Sequence, residues 1–169
     1  MLVTVLAVLA FAAFRAVTRD NEPTPVRAVD YVAVARMARA DKQLLAVTPE
    51  KLPTGWSATS ATYTTGAAPA WHLGMLTNGG KYVGVEESQS TVQDLVREHV
   101  DVDAQRGKDV TIAGQTWQTW TDTGGDYAVA RSVRSGGAGA ESLLVVGTAP
   151  DQEIRDLAAT LTGGRRLAG

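Results

Sequence analysis

Cysteine is absent from this 169-residue chain. Its absence excludes a disulfide framework, a cysteine-based zinc site, a thiol nucleophile and a lipid-modified anchor cysteine. Basic and acidic residues nearly balance, at 16 Lys and Arg against 18 Asp and Glu. A nucleic-acid-binding surface requires clustered Lys and Arg, so we expect no nucleic-acid partner.

The sequence signatures of common catalysts are also missing. There is no Gly-x-Ser-x-Gly elbow, no phosphate-binding loop and no Gly-x-Gly-x-x-Gly fingerprint. Only His72 and His99 are available as imidazole bases. We therefore expect no catalytic residue, no metal ligand set and no cofactor, and an enzyme is the less favoured class.

An apolar run at the N-terminus extends from Leu2 to Phe14 and is followed by Arg15 and Arg19. It is shorter than the roughly 17–25 residues of a bilayer span, and no basic region precedes it as in a signal peptide. We interpret residues 1–18 as a membrane anchor or uncleaved signal whose start lies upstream; a buried core helix is the alternative. The arginines alone favour a cytoplasmic domain, but with the upstream flank missing we expect a single-pass protein with an extracytoplasmic domain.

The rest of the chain divides into three parts. Residues 19–28 contain Pro23 and Pro25 and have the composition of an extended linker. Residues 29–163 have the length of one domain, and residues 164–169 form a basic tail. The membrane contact is therefore expected through residues 2–18.

The stretch from Trp71 to Glu87 predicts a β-hairpin. Asn78-Gly79 between two apolar runs is a strong hairpin signal. A two-residue loop would pair Met75 with Tyr82, whereas a three-residue loop, Asn78-Gly79-Gly80, pairs Met75 with Val83. A slip of one residue turns every side chain to the other face. We choose the longer loop because it collects the large apolar side chains on one face, namely Trp71, Leu73, Met75, Val83 and Val85.

The opposite face of the hairpin carries the candidate binding residues. In the chosen register Gly74 lies opposite Gly84, and two adjacent glycines leave a shallow notch for a backbone or a ligand. His72 lies opposite Glu86, and a carboxylate beside an imidazole can form an acid–base pair. An exposed cross-strand pair is the simpler interpretation. The face consists of His72, Gly74, Leu76, Tyr82, Gly84 and Glu86.

The remaining pattern predicts helices and strands in alternating groups. Ser90 to Gln93 has the form of a capping box with Ser90 as the cap, and Pro150 suits a first helical position. We expect helices over 29–41, from 90 and from 150, and strands over 56–65, 71–76, 82–87, 109–113, 115–121, 127–133 and 142–147. The fold class is therefore α+β, with a mostly antiparallel sheet of about seven strands and two to three packing helices, preceded by an N-terminal transmembrane helix.

Two further groups of residues were considered as sites. His99, Asp101 and Asp103 form the most metal-like cluster, although solvated acids at a helix end explain it better. Trp117 and Trp120 have odd spacing, so they cannot share one face of a regular strand. Either one of them is less buried or a bulge intervenes. Core packing of both rings is the simpler interpretation. An exposed ring would mark a contact surface because aromatic side chains dominate binding hot spots, and we take Trp120 as the candidate contact residue.

Six short motifs occur in order along the chain. They are Val29-Asp30-Tyr31, Leu52-Pro53-Thr54-Gly55-Trp56, Ala58-Thr59-Ser60, Trp71-His72-Leu73-Gly74, Gly80-Lys81-Tyr82-Val83 and Gly114-Gln115-Thr116-Trp117. Together they resemble an actinobacterial family, the domain of unknown function 4245, from about Val26 to Leu161. The resemblance implies a single N-terminal membrane helix and a domain outside the cytoplasm, and no known activity.

These observations leave three functional hypotheses open. The first is a membrane-anchored, non-catalytic binding module of the cell envelope, with an unknown envelope protein or ligand as its partner. The second is an enzyme of unknown type that uses His72 and Glu86. The third is a purely structural envelope protein. The candidate contact residues are His72, Gly74, Tyr82, Gly84, Glu86 and Trp120.

Overall fold

The computed structural model describes residues 29–134 and 141–162. The predicted anchor (1–18), linker (19–28) and tail (164–169) lie outside the described residues. Among the helices that the structure does describe, none has the length and apolar character needed to cross a membrane.

The described part of the chain is α+β, as predicted. The helices are α1 (Tyr31–Asp41), α2 (Val92–His99) and α3 (Asp151–Thr160). The strands are β1 (Thr48–Pro49), β2 (Ser57–Thr64), β3 (Ala70–Leu76), β4 (Tyr82–Ser88), β5 (Gln105–Arg106), β6 (Val110–Ile112), β7 (Gln115–Thr121), β8 (Tyr127–Arg134), β9 (Glu141–Gly147) and β10 (Leu161–Thr162).

The main sheet is antiparallel throughout its described pairs, in the order β2-β3-β4-β9-β8-β7-β5, with β6 also paired to β7. All seven predicted strands are present. The sequence did not indicate β1, β5 and β10, which have two residues each. Two residues are too few to show an alternating pattern.

The hairpin has the predicted register. Met75 pairs with Val83, Leu73 with Val85, Gly74 with Gly84 and His72 with Glu86. The N–H of Thr77 donates to the carbonyl of Lys81 over 2.8 Å and closes the three-residue loop. Gly80 has φ +70°, a left-handed backbone conformation that glycine adopts at little cost.

The sheet has two faces with separate apolar cores. Face A carries Trp71, Leu73, Met75, Val83 and Val85, all almost fully buried, and packs against α1 and α3. Face B carries His72, Gly74, Tyr82, Gly84 and Glu86. On face B, Leu95 and Val96 of α2 pack against Ala128, Ala130, Leu144 and Val146 of β8 and β9. Helix α2 therefore lies over the middle of the sheet, and no helix of residues 29–134 and 141–162 covers β2 and β3 on this face.

Two predicted helix starts are shifted by one residue. The N-cap of α2 is Thr91, whose hydroxyl accepts the N–H of Asp94, so the prediction of Ser90 was wrong. The Ser90 hydroxyl instead bonds to the Ser88 hydroxyl at 2.7 Å. Pro150 occupies the N-cap of α3, one position before the first helical residue.

A buried carboxyl pair fixes the segment before β1. Glu87 accepts the N–H of Ala46 at 2.9 Å and the N–H of Val47 at 2.8 Å, and Glu141 accepts the N–H of Leu45 at 2.8 Å. Both glutamates are 1% exposed. Arg39 donates to the carbonyl oxygen of Ala46 on the other side of the segment. Ala46 has φ +48°, so these bonds hold a backbone conformation that side-chain-bearing residues rarely adopt.

The buried pair makes stability depend on pH. Burial, followed by the hydrogen bond to Glu141, raises the pKa of Glu87 from 4.5 to about 8. The folded state therefore holds this proton more tightly than the unfolded state. Its contribution to stability is fully present below pH 4.5 and is lost as pH rises through about 8.

We expect Glu141→Gln to reduce this alkaline loss. The glutamine keeps an acceptor for the N–H of Leu45, and its amide can donate to the Glu87 carboxylate, so the pKa of Glu87 should fall. The measurement is the free energy of unfolding by urea across this pH range. If the free energy of unfolding of the variant falls with rising pH as steeply as that of wild type, Glu141 is not a cause of the raised pKa of Glu87.

Candidate functional site

The centre of face B contains a hydrogen-bonded chain of three side chains. Nδ1 of His72 lies 2.6 Å from Oε1 of Glu86, and Nε2 of His72 lies 2.8 Å from Oγ of Ser60. The antiparallel register explains the first contact because His72 and Glu86 are direct partners. Ser60 lies opposite Gly74, next to a register shift in β2. Glu86 is 5% exposed, and His72 is its hydrogen-bond partner.

The ring of Tyr82 covers the two glycines. A Cβ on Gly84 would lie 2.8 Å from the Tyr82 hydroxyl and 3.0 Å from Oε1 of Glu86. A Cβ on Gly74 would lie 3.3 Å from Cε2 of Tyr82. Because the two glycines have no side chains, they leave space for the aromatic ring of Tyr82 from the same hairpin. The predicted notch exists in the backbone, but Tyr82 fills it.

A cleft of about 170 Å³ lies between β3, β4 and helix α2 on face B. We call it the β3–α2 cleft. It is lined by Thr62, Thr64, Ala70, Trp71, His72, Glu86, Glu87, Ser88, Leu95, Glu98 and His99. Both histidines of the chain thus line one cavity, although they are 27 positions apart in the sequence. Its lining includes carboxyl groups and no Lys or Arg.

The surroundings of His72 and Tyr82 raise the pKa of both side chains. The hydrogen bond to Glu86 raises the pKa of His72 above 6.5, and partial burial opposes that effect. Burial, together with the charges of Glu86 and Asp126, raises the pKa of Tyr82. The site is therefore a hydrogen-bonded imidazole–carboxylate pair beside a phenol, and it can present hydrogen-bond donors and acceptors to a ligand.

A family model described as "Protein of unknown function (DUF4245)" matches residues 1–161. The chain belongs to this family. The resemblance carried by the six motifs is confirmed, and the match also covers the residues before Val26. No curated protein sequence matches the chain.

Two solved structures are similar to this DUF4245 chain at low identity. One is MucB in complex with MucA(peri), with 15% identity, a TM-score of 0.41 and coverage of 70% of this chain and 36% of that chain. The other is the Pseudomonas aeruginosa MucA/MucB complex, with 16% identity, a TM-score of 0.40 and coverage of 70% and 35%. This chain therefore spans about a third of the length of those chains.

The structure brings together most of the candidate residues of the DUF4245 chain. His72, Gly74, Tyr82, Gly84 and Glu86 form one group on face B. Trp120 lies apart from them: it is half-buried and packs against the second core beside Val100 and Ala104. It does not line the β3–α2 cleft.

Sequence reasoning missed several contributors to the site, among them Ser60, Thr62, Glu98 and His99. The strand register could have indicated Thr62, which pairs with His72. His99 required knowledge of where α2 packs. As expected, the spacing of Trp117 and Trp120 places the two rings in different cores, with Trp117 more buried.

The residues at the end of α2 do not form a metal centre. Asp101 accepts the N–H of Asp103 at 2.8 Å, and both aspartates are exposed. Within residues 29–134 and 141–162, no group of three or more His, Asp or Glu side chains could hold a metal ion.

We expect Glu86→Gln to lower the pKa of His72. The carboxylate is the main cause of the raised pKa, so an amide leaves partial burial as the dominant effect. The measurement is an NMR titration of the imidazole signals, assigned with a His99→Gln variant. Glu98→Gln is the control and should leave the His72 titration unchanged. Equal His72 pKa values in wild type and Glu86→Gln would contradict the imidazole–carboxylate pair.

Proposed function

We propose that this DUF4245 chain is a membrane-tethered binding module of the cell envelope and that the β3–α2 cleft is its recognition site. The proposal rests on one observation: the described helices cover only part of face B. Helix α2 protects β8 and β9, while the polar side chains of β2 and β3 border an open cavity. Concave sites with a few converging polar groups are the usual places for ligand binding.

The charge of the cleft suggests the chemistry of its partner. Glu98 contributes a carboxyl group at the rim, whereas the carboxyl group of Glu86 is already paired with His72. None of the described Lys and Arg residues lines the cavity. Glu98 is 74% exposed at the rim, 4.0 Å from His99. Acidic surfaces attract basic groups and speed their association. We therefore expect a partner protein that presents a Lys or Arg side chain to the cleft.

Site-specific photo-crosslinking in intact cells tests this proposal. A photoreactive amino acid at Thr62, on the cleft wall, should capture one partner; the same residue at exposed Thr111 on β6 is the matched control. Glu98→Lys should abolish the Thr62 adduct because it reverses the charge at the rim. The same adducts at both positions, or an adduct unaffected by Glu98→Lys, would contradict the assignment of the cleft.

The membrane tether is supported by the apolar run Leu2–Phe14 and the linker that follows it. We expect the full chain to remain in the membrane fraction after an alkaline wash and a chain starting at Asp20 to be released. Protease added outside intact cells should degrade the domain. Full-length chain in the soluble fraction, or a domain protected from external protease, would contradict this part of the proposal.

Hydrolysis is a second candidate function because of the Ser60–His72–Glu86 chain. Oγ of Ser60 lies 2.8 Å from Nε2 of His72, and Nδ1 of His72 lies 2.6 Å from Oε1 of Glu86. Such contacts join a nucleophile, a base and an orienting carboxylate in hydrolases. However, Ser60 does not line the cleft, so its hydroxyl does not face the cavity that a substrate would occupy. Covalent labelling of Ser60 by a fluorophosphonate, absent in Ser60→Ala, would support the hydrolase by showing a reactive serine; no labelling would exclude a reactive serine.

A further inference from the structure

Face A has a cavity of its own, on the other side of the sheet from the β3–α2 cleft. Its volume is about 140 Å³, and it lies between the β6–β7 turn and the C-terminal end of α3. The wall is apolar on one side, formed by Ile112, Leu143, Ala158, Ala159 and Leu161. The polar side chains of the wall belong to Gln115, Trp117 and Arg131.

Arg131 is held in place, and none of the described carboxylates pairs with it. Its guanidinium carbon lies 5.5 Å from the centroid of the Trp117 ring. Its Nε donates a long bond of 3.5 Å to the carbonyl oxygen of Ser132. No carboxylate of the described residues forms an ion pair with it. Stacking on an aromatic ring fixes the plane of the guanidinium, so its remaining N–H groups form a preorganised fork.

Trp117 serves as the platform for Arg131 and not as a second donor. The residue is 3% exposed. Its indole nitrogen is buried and has no hydrogen-bond partner among the described residues, so a ligand in the cavity does not reach it. Arg131 is therefore the cationic donor of the cavity. Because none of the described acidic residues lines the cavity, its polar part is complementary to an anion.

The apolar wall and the volume restrict that anion. An apolar cavity of similar volume, about 150 Å³, accommodates a benzene-sized group. The volume of about 140 Å³ therefore suits a small aliphatic group, such as a branched group of four or so carbons. Carboxylates and phosphates both match the guanidinium fork with two oxygens, and a carboxylate is the smaller of the two, so it leaves more room for an aliphatic group.

We propose that the Arg131–Trp117 cavity binds the carboxylate of a short, branched aliphatic acid. Two sources present this chemistry: a free short-chain acid and the C-terminal residue of a peptide that ends in leucine. The carboxylate bonds to the Arg131 fork, and the aliphatic group packs against Leu143 and Leu161. This site lies on face A and is independent of the proposed function of the cleft.

NMR titration of the ¹⁵N-labelled protein tests the site. The probes are isovalerate, N-acetyl-leucine and N-acetyl-leucinamide, and the signal is the Trp117 indole N–H, assigned with Trp117→Phe. We expect a saturable shift with a carboxylate and at least about tenfold weaker binding of the amide, since a charge-assisted bond is lost. Tighter binding of isovalerate indicates the free acid, and tighter binding of N-acetyl-leucine indicates the peptide terminus.

Arginine variants complete the test. Arg131→Met should weaken carboxylate binding at least about tenfold, and Arg131→Lys, which keeps the charge without the fork, should also weaken it. Arg97→Met, at an exposed position on α2, is the matched control and should bind as wild type does. No saturable shift with either carboxylate, equal binding of the amide, or full binding by both Arg131 variants would overturn the proposal.

Discussion

Glu87→Ala is expected to lower the free energy of unfolding by about 3 kcal/mol. The substitution leaves the N–H groups of Ala46 and Val47 without acceptors in a buried place. Each unsatisfied buried donor costs roughly 1–3 kcal/mol. Ala46 would also lose the bonds that hold its left-handed conformation. Urea unfolding below pH 4.5 is the appropriate measurement because Glu87 is protonated there.

Glu50→Ala is the matched control for this substitution. Glu50 is exposed and close to the same segment, so its removal should change stability by no more than about 0.5 kcal/mol. If Glu87→Ala behaves like Glu50→Ala, the carboxyl pair does not fix the segment before β1.

Gly147→Ala is expected to destabilise the protein by more than about 3 kcal/mol or to prevent folding. Gly147 lies in β9, which is central in the sheet and paired on both sides, to Val83 and to Tyr127. A Cβ at this position would overlap the carbonyl oxygen of Tyr82 and stand 2.9 Å from Cα of Val83. Overpacking by flexible side chains costs about 1–3 kcal/mol, and here the obstructing atoms belong to the backbone.

Gly79→Ala provides the comparison, measured by the same urea unfolding. A Cβ on Gly79 would meet only the hydroxyl of Thr77, at an ordinary distance of 3.7 Å. We expect a change within about 0.5 kcal/mol. If the free energy of unfolding of Gly147→Ala lies within about 0.5 kcal/mol of the wild-type value, the close approach of β4 and β9 is contradicted.

The hairpin was predictable from the sequence because its signals are local. Three residues, Asn78, Gly79 and Gly80, set the loop, and the alternation from Trp71 to Val85 sets the face. The same parity rule separated Trp117 from Trp120. In each case the prediction needed only neighbours along one strand or across one short turn.

The pairing of β1 with β10 could not be predicted in this way. Thr48 pairs with Thr162, so the contact joins residues 114 positions apart, and each strand has two residues. The carboxyl pair is a similar case. The register places Glu87 beside Trp71 on the apolar face, but nothing local shows that its partners are the N–H groups of Ala46 and Val47.

The cleft was missed because it depends on the docking of α2. The stripe of Leu95 and Val96 predicted a buried helix face, but helix periodicity does not say which sheet face or which strands it covers. Only the observed packing on β8 and β9 places His99 beside His72. The contact of Ser60 with His72 depends on the register shift between Ala58 and Ser60, which a regular strand pattern does not reveal.

The affinity of the crosslinked partner for purified variants tests the central proposal most directly. Titration calorimetry would compare wild type, Glu98→Lys on the cleft rim and Thr111→Lys on β6. If the β3–α2 cleft is the recognition site, Glu98→Lys should bind at least about tenfold more weakly, since a repulsive charge replaces an attractive one. Binding of Thr111→Lys should be unchanged. Equal affinities for wild type and Glu98→Lys would show that the partner binds elsewhere.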